Sequence, residues 1–155
     1  CVRWWGVGNE VWGRWQIGTT DAAGYAARLR EFIGAMRKAD TSIRIVAVGD
    51  GITDDSPNNP GRRWNEAVLQ AAGGQIDALS FHIYQPEKDG WQGQYDREAL
   101  HHTVCAAPLD VEAMIARMAD QIAACAPGRD IRVALDEWNL WLAPPPGAAS
   151  PWSSS

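Results

Sequence analysis

The chain has 155 residues, 46% hydrophobic and 21% charged, which is enough apolar surface to bury a core within one domain. Its net charge of −5 is dispersed, with Lys and Arg scattered among Asp and Glu, so no basic stripe is available to neutralise phosphates and nucleic acid is excluded as a partner. No apolar run approaches the roughly 20 residues that cross a bilayer, and no charged-then-apolar leader is visible, so no membrane partner is expected.

Residues 2–8 read as a buried strand ending in glycines, with Asn9 and Glu10 at its C-terminal end. A loop rich in aromatic and amide groups follows, carrying Trp12, Trp15 and Gln16. Thr20 and Asp21 offer an N-cap for a helix running to about Ala39, on which Tyr25, Leu29, Phe32, Ile33 and Met36 recur at spacings of three and four. That stripe predicts packing against a sheet. A second strand spans 43–50, a Pro/Gly/Asn loop spans 51–61, and a shorter helix over 63–72 carries Trp64, Ala67, Val68 and Ala71 on one face. The third strand is 77–84. Residues 85–103, including Trp91 and Tyr95, read as a long loop, and loops of that length are usually functional or disordered. Asp110 caps a third predicted helix that ends at Pro127-Gly128, and 132–139 is the fourth strand.

Strands alternating with helices, each strand short, apolar and nearly free of alternation, predict parallel strands covered on both faces, in an open doubly wound sheet or a β/α barrel. Polar and aromatic residues gather after the strands, where both architectures bind ligands. No GxGxxG or Walker pattern follows any strand, so an open nucleotide-binding sheet lacks its phosphate cradle and the barrel is favoured. The chain has no initiating Met and a strand near each end, and it reads as an internal piece of a longer protein. Three cysteines, Cys1, Cys105 and Cys125, are odd in number and lack CxxC spacing; they read as buried thiols, in keeping with a reducing compartment. No His/Cys/carboxylate cluster has metal spacing, and no cofactor is implied.

Two glutamates, Glu10 and Glu137, sit where strands give way to loops. On a parallel barrel both occupy one rim and face each other across the mouth. Hydrolysis of a glycosidic bond needs such a pair, one carboxyl to protonate the leaving oxygen and one to attack or stabilise the sugar carbon; the separation is about 5 to 5.5 Å in retaining enzymes and about 6.5 to 9.5 Å in inverting ones. Asn9 can donate to a sugar hydroxyl. His82 and Tyr84 alternate along the third strand and so share a face, from which they can reach a carboxylate or the sugar. Nine tryptophans exceed what an ordinary core of this size requires, and Trp12, Trp15, Trp91, Trp138 and Trp141 are candidates for stacking on sugar rings. The bland readings are a capping or surface role for a lone strand-end Glu, a satisfied core position for His82, an orienting or structural role for Asp136, turn roles for Asp50, Asp54 and Asp55, and core packing for Tyr25, Phe32 and Met36.

The runs WWGVGNEVWGRWQIG, SFHIY and LDEWNLW, in that order over residues 2–142, resemble the catalytic domain of glycoside hydrolase family 51, the retaining α-L-arabinofuranosidases of clan A. The resemblance implies a partial (β/α)8 barrel, approximately strands 4 to 7 with the intervening helices. Residues 1–142 would be the central to C-terminal part of the catalytic domain, and 143–155 a Pro/Ala/Ser-rich loop or fragment end. By the same match Glu10 is the acid/base and Glu137 the nucleophile, Asn9, His82 and Tyr84 occupy substrate-binding positions beside Trp15, and Trp141 is an aromatic near the sugar. The substrate implied is an arabinofuranoside in a polysaccharide or oligosaccharide. The whole protein would be a homo-oligomer, a hexamer in many bacterial members, and cytoplasmic, with secretion as the alternative. Glu10 would be held protonated beside an ionised Glu137, with its pKa raised by that charge and by burial. Another clan A retaining glycosidase, a β-xylosidase or endoglucanase, and a noncatalytic carbohydrate-binding protein remain alternatives. With the other barrel strands absent, the isolated segment is expected to be inactive and unstable.

Overall fold

A computed structural model describes residues 2–85 and 96–141. Four strands, β1 (Trp4–Val7), β2 (Arg44–Ala47), β3 (Ala78–Gln85) and β4 (Arg132–Leu140), alternate with three helices, α1 (Ala22–Ala39), α2 (Pro60–Ala72) and α3 (Arg97–Cys125). All neighbouring strands are parallel, and their order across the sheet is the order along the chain. A parallel crossover is almost always right-handed, so a sheet that adds every strand on the same side carries all its helices on one face. An open doubly wound sheet must instead reverse direction at a switch point. The consecutive order therefore selects the barrel, and the curvature agrees: Arg132 at the start of β4 lies over the ring of Trp4 at the start of β1, 5.7 Å from its centroid, across the concave face.

Local signals start each helix. Asp21 Oδ1 accepts from Gly24 N at 2.7 Å to cap α1, and Asn59 Oδ1 accepts from Arg62 N with Pro60 in the first turn to cap α2. Tyr25, Leu29 and Ile33 of α1, Trp64, Val68 and Leu69 of α2, and Met114, Met118 and Ile122 of α3 bury against Ile45, Ala47, Leu79, Phe81 and Ile83 of the sheet. Phe32 departs from the predicted stripe. It is more than half exposed, on a groove along β1 that Val7, Leu29 and Met36 also line. Covering is one-sided as well: β1 and most of β4 are open, so the expectation of both faces buried holds within the segment only for the middle strands.

The third helix begins far earlier than expected. Asp96 Oδ1 accepts from Glu98 N at 2.9 Å, and α3 runs unbroken through Pro108. An interior proline removes one hydrogen bond and crowds the preceding turn, at about 3 kcal/mol, which is why the sequence reads as a break there. Part of the predicted loop is thus helix; Trp91 and Tyr95 lie outside the described residues, as does 143–155. Cys105 is exposed on α3 and not buried as expected, Cys125 is half-buried, both are free thiols, and Cys1 lies outside the described residues. Among the described residues no helix is long and apolar enough to cross a membrane.

Side chains from the helices fasten the C-terminal ends of the strands. The buried Tyr25 hydroxyl donates to Val7 O (2.7 Å) and accepts from Val48 N (2.8 Å), which ties β1 to β2, and its ring stacks on Trp64. Trp64 Nε1 donates to Val48 O, Trp12 Nε1 to Gly49 O, and Asn65 both accepts from and donates to the backbone of Asp50. A side chain at Gly49 would meet Ser80 O at 2.2 Å, so only glycine permits this close approach. At the opposite end, Asp77 accepts from Ile45 N (2.9 Å), Arg44 (2.7 Å) and Arg37 (3.3 Å). Burial pushes the Asp77 carboxyl up, but these donors and the two guanidinium charges outweigh it and hold its pKa below the usual aspartate value. Its stabilisation is present above the unfolded-state pKa and is lost as pH falls through the lower folded value. Asp77→Asn, in the protein that carries this segment, is expected to cost about 2 kcal/mol at neutral pH. The difference from wild type in urea midpoint should close as the pH is lowered past that folded value.

Candidate active site

The loop after β1 leaves the sheet through two left-handed residues, Gly8 (φ 96°) and Glu10 (φ 44°). Glycine adopts this region freely, whereas for glutamate it is uncommon and costs on the order of 1 kcal/mol or more. Glu10 is the one non-glycine residue in that region among those described. The strained turn delivers its side chain over the end of the sheet, where Glu10 Oε1 meets His82 Nδ1 at 2.8 Å. The other oxygen, Oε2, accepts from Trp15 Nε1 at 3.0 Å and from Gln16 Nε2 at 3.5 Å.

Glu137 reaches the same place by a different device. Along β4, Val133 and Leu135 pair with Leu79 and Phe81, side chains of the helix-facing core, and strict alternation would put residue 137 on that face too. The pairing slips by one residue between Phe81 and His82, so that Phe81 pairs with Leu135 but His82 pairs with Glu137. Asp136 is the extra residue of a β-bulge, and the bulge turns Glu137 to the concave face while sending Trp138 outward. Tyr84 OH then donates to Glu137 Oε1 at 2.5 Å, and Glu137 Oε2 lies 3.5 Å from His82 Nδ1. Asp136 Oδ1 stands 3.3 Å from the other ring nitrogen of His82, Nε2.

Asn9, Glu10, Trp15, Gln16, Tyr84, Glu137 and Trp141 line one cleft of about 510 Å³. Six of the seven predicted site residues thus share this cleft with Gln16, while the seventh, His82, lies behind the two glutamates with its side chain only 11% exposed. Trp141 meets Tyr84 edge to face, with centroids 4.9 Å apart, and Trp15 meets Trp12 the same way at 5.5 Å. Trp12 serves the scaffold through its bond to Gly49, and Trp138 is 70% exposed on a separate groove between β4 and α3. Neither lines the cleft. Gln16 and the contact of Asp136 with His82 were missed by sequence reasoning. The first carried a signal, since it follows Trp15 in the polar loop; the second depends on the bulge and carried none.

The nearest donor atoms of Glu10, His82 and Glu137 all lie within 4.8 Å of one another. Trp15, Gln16 and Tyr84 already direct hydrogen bonds at the carboxylate oxygens, an arrangement suited to moving protons more than to holding a cation. The electrostatics correct one expectation. Burial does push the Glu10 carboxyl up, but the hydrogen bond and charge of His82 and the bonds from Trp15 and Gln16 prevail, and its pKa lies below the ordinary glutamate value. The Tyr84 phenol is pushed up to about 12, first by its bond to Glu137, then by burial and the charges of Glu137 and Glu10.

No family model matches the chain. Among curated proteins it is 30% identical over 142 residues to the intracellular exo-α-(1→5)-L-arabinofuranosidase of Acetivibrio thermocellus, a match covering 90% of this chain and 26% of that protein. Among solved structures it superposes on the α-L-arabinofuranosidase of Thermotoga maritima in its arabinose complex, with a TM-score of 0.69 and 33% identity over 90% of this chain and 25% of that one. The thermostable family 51 α-L-arabinofuranosidase of Thermotoga petrophila gives the same figures: TM-score 0.69, 33% identity, and coverage of 90% and 25%. The chain spans about a quarter of the length of these relatives. Fold and site together define four consecutive units of a (β/α)8 barrel with paired carboxylates on its C-terminal rim. The chain belongs to glycoside hydrolase family 51, as a segment of the catalytic domain.

The bond between Tyr84 and Glu137 has its own readout. In the protein that carries this segment, difference absorbance should show Tyr84 ionising near pH 12. In Glu137→Gln that transition is expected to move back toward the ordinary tyrosine value of about 10. An unmoved transition would show that Glu137 does not hold the phenol.

Proposed function

We propose that the protein carrying this chain is a retaining α-L-arabinofuranosidase that removes terminal arabinofuranosyl residues from polysaccharides or oligosaccharides, with Glu137 as nucleophile and Glu10 as acid/base. The observation that carries the reading is the approach of the two glutamates, oxygen to oxygen within 4.8 Å. So close an approach is in keeping with the roughly 5 to 5.5 Å between the carboxyl groups of retaining enzymes, against about 6.5 to 9.5 Å in inverting ones. The relatives are arabinofuranosidases in each case, which favours the sugar, and the Acetivibrio relative is an intracellular one, which favours a cytoplasmic location.

In this reading Glu137 attacks the anomeric carbon while Glu10 protonates the departing oxygen; Glu10 then takes a proton from the water that releases arabinose. Tyr84 holds Glu137 in place, and with its phenol pushed up to about 12 it remains a donor at any working pH. Trp15 and Trp141 give the cleft aromatic walls and Asn9 a polar group for a sugar hydroxyl. The depressed pKa of Glu10 describes the open cleft. A bound sugar displaces water, strengthens the upward pull of burial and so returns a proton to Glu10 for the first step.

Azide tests the assignment in the protein that carries this segment. With an aryl α-L-arabinofuranoside, Glu137→Ala and Glu10→Ala should each lose a factor of about 100 or more in turnover. Azide should restore Glu137→Ala with a glycosyl azide of inverted configuration and Glu10→Ala with one of retained configuration. The opposite pairing would exchange the roles, and a wild type that binds arabinosides without turning them over would replace the enzyme by a carbohydrate-binding protein.

A further inference from the structure

Four side chains able to ligate a metal share one face at the start of α3: Glu98, His101, His102 and Cys105. Residues three and four apart are neighbours on a helix surface, and these four are joined by such spacings. With 85–103 read as a loop, the two histidines bear no fixed relation to Cys105; the early start of the helix at Arg97 lines them up. The contacts follow from that. His101 Nε2 lies 3.7 Å from Cys105 Sγ, His102 Nε2 lies 3.8 Å from Glu98 Oε1, and the two imidazoles meet edge to face with centroids 5.8 Å apart. All four side chains are exposed, and none lines the groove to which Val104, Ala107 and Pro108 of the same helix turn.

The separation of His101 and Cys105 has a chemical reading. A tetrahedral ion with bonds of about 2.0 to 2.1 Å to nitrogen and about 2.3 Å to sulfur holds those two donors about 3.6 Å apart. His101 and Cys105 already stand near that distance, so chelation needs little rearrangement. Sulfur with imidazole suits zinc and its neighbours, whereas magnesium and calcium take oxygen. His102 stands three residues before Cys105, and turning its exposed ring from Glu98 toward Cys105 supplies a third donor.

We propose that His101, His102 and Cys105 form a binding site for a divalent cation of the zinc type, and that the bound ion staples the turns of α3 that precede Pro108. The proposal is independent of the catalytic reading. Pro108 cannot donate the bond that would return to Val104 O, so the first turns of α3 are joined to the rest of the helix by one bond fewer. An ion held between His101 and Cys105 spans the turn just before that gap. On binding, the S–H bond of Cys105 breaks, its electron pair forms the bond from Sγ to the metal, and the proton passes to solvent. The imidazoles coordinate through nitrogen lone pairs, water completes the shell, and no electron is transferred.

The test uses the whole protein that carries this segment, reduced and stripped of metal, then titrated with Co²⁺ and back-titrated with Zn²⁺. Wild type is expected to show near-ultraviolet thiolate-to-cobalt absorption that zinc abolishes. Cys105→Ser should lose that absorption, and Cys125→Ser, which changes the half-buried thiol at the far end of α3, should keep it. His101→Gln and His102→Gln should each weaken binding by about tenfold or more, since even partners outside a coordination shell are worth about 10- to 100-fold. Absorption that survives in Cys105→Ser, absorption lost in Cys125→Ser, undiminished affinity in either histidine variant, or no cobalt bound at all would overturn the site. The staple has a separate readout in hydrogen exchange: zinc should slow the amides of residues 98–107 in wild type and leave them unchanged in Cys105→Ser. Exchange indifferent to zinc in wild type would overturn that part. The substituted side chains at 101, 102 and 105 are exposed, so their loss leaves the core intact. A protein that binds zinc here and cleaves no arabinofuranoside would sink the functional assignment alone.

Discussion

Three carboxylates and one imidazole share a few ångströms at the rim of this sheet, and most of the surrounding structure can be understood as keeping them there. Like charges repel, so Glu10, Asp136 and Glu137 would relax apart on a flexible frame; the hydrogen bonds of Glu10 with Trp15, Gln16 and His82 and of Glu137 with Tyr84 hold them in place. The cost is visible in the backbone. Glu10 sits in a conformation most residues avoid, and β4 is broken by a bulge, so strain collects where proton transfer is proposed and the remainder of the fold must support it.

The support comes from below. Tyr25, Trp64, Trp12 and Asn65 fasten the ends of β1 and β2 through buried or half-buried hydrogen bonds, one layer beneath the cleft. Asp77 performs the matching task at the opposite end of the sheet from the cleft. The two ends divide the work in the manner of β/α barrels, stability at the N-terminal face and chemistry at the C-terminal face. Apolar side chains left open on β1 and β4, Trp4, Trp5, Trp138 and Leu140 among them, mark the flanks of a segment that spans about a quarter of its relatives.

The alternation of elements was legible because the helices carry apolar stripes and each strand its apolar run; the seven elements follow in the expected order, with the start of α3 displaced. Barrel rather than open sheet followed from the missing phosphate loop, and the consecutive strand order gives that choice a geometric basis. Glu10 and Glu137 stood out as strand-end residues, and Tyr84 and His82 as a same-face pair. Three things were hidden. The start of α3 was masked by Pro108, whose local penalty the helix bears. The direction of Glu10's pKa depends on donors that only folding brings to it, Trp15, Gln16 and His82. The inward turn of Glu137 depends on a register slip, a relation between two strands that neither strand encodes alone.

That slip bears on how the site could be rebuilt. An ideal barrel with evenly pleated strands would accept the sequence LDEWN without complaint and bury its glutamate among leucines, facing the helices, with a tryptophan pointing into the mouth. Grafting this chemistry onto a regular scaffold therefore means copying an irregularity together with the side chains. The supernumerary aspartate behaves as a hinge pin, one residue of added contour length that decides which way the working group faces.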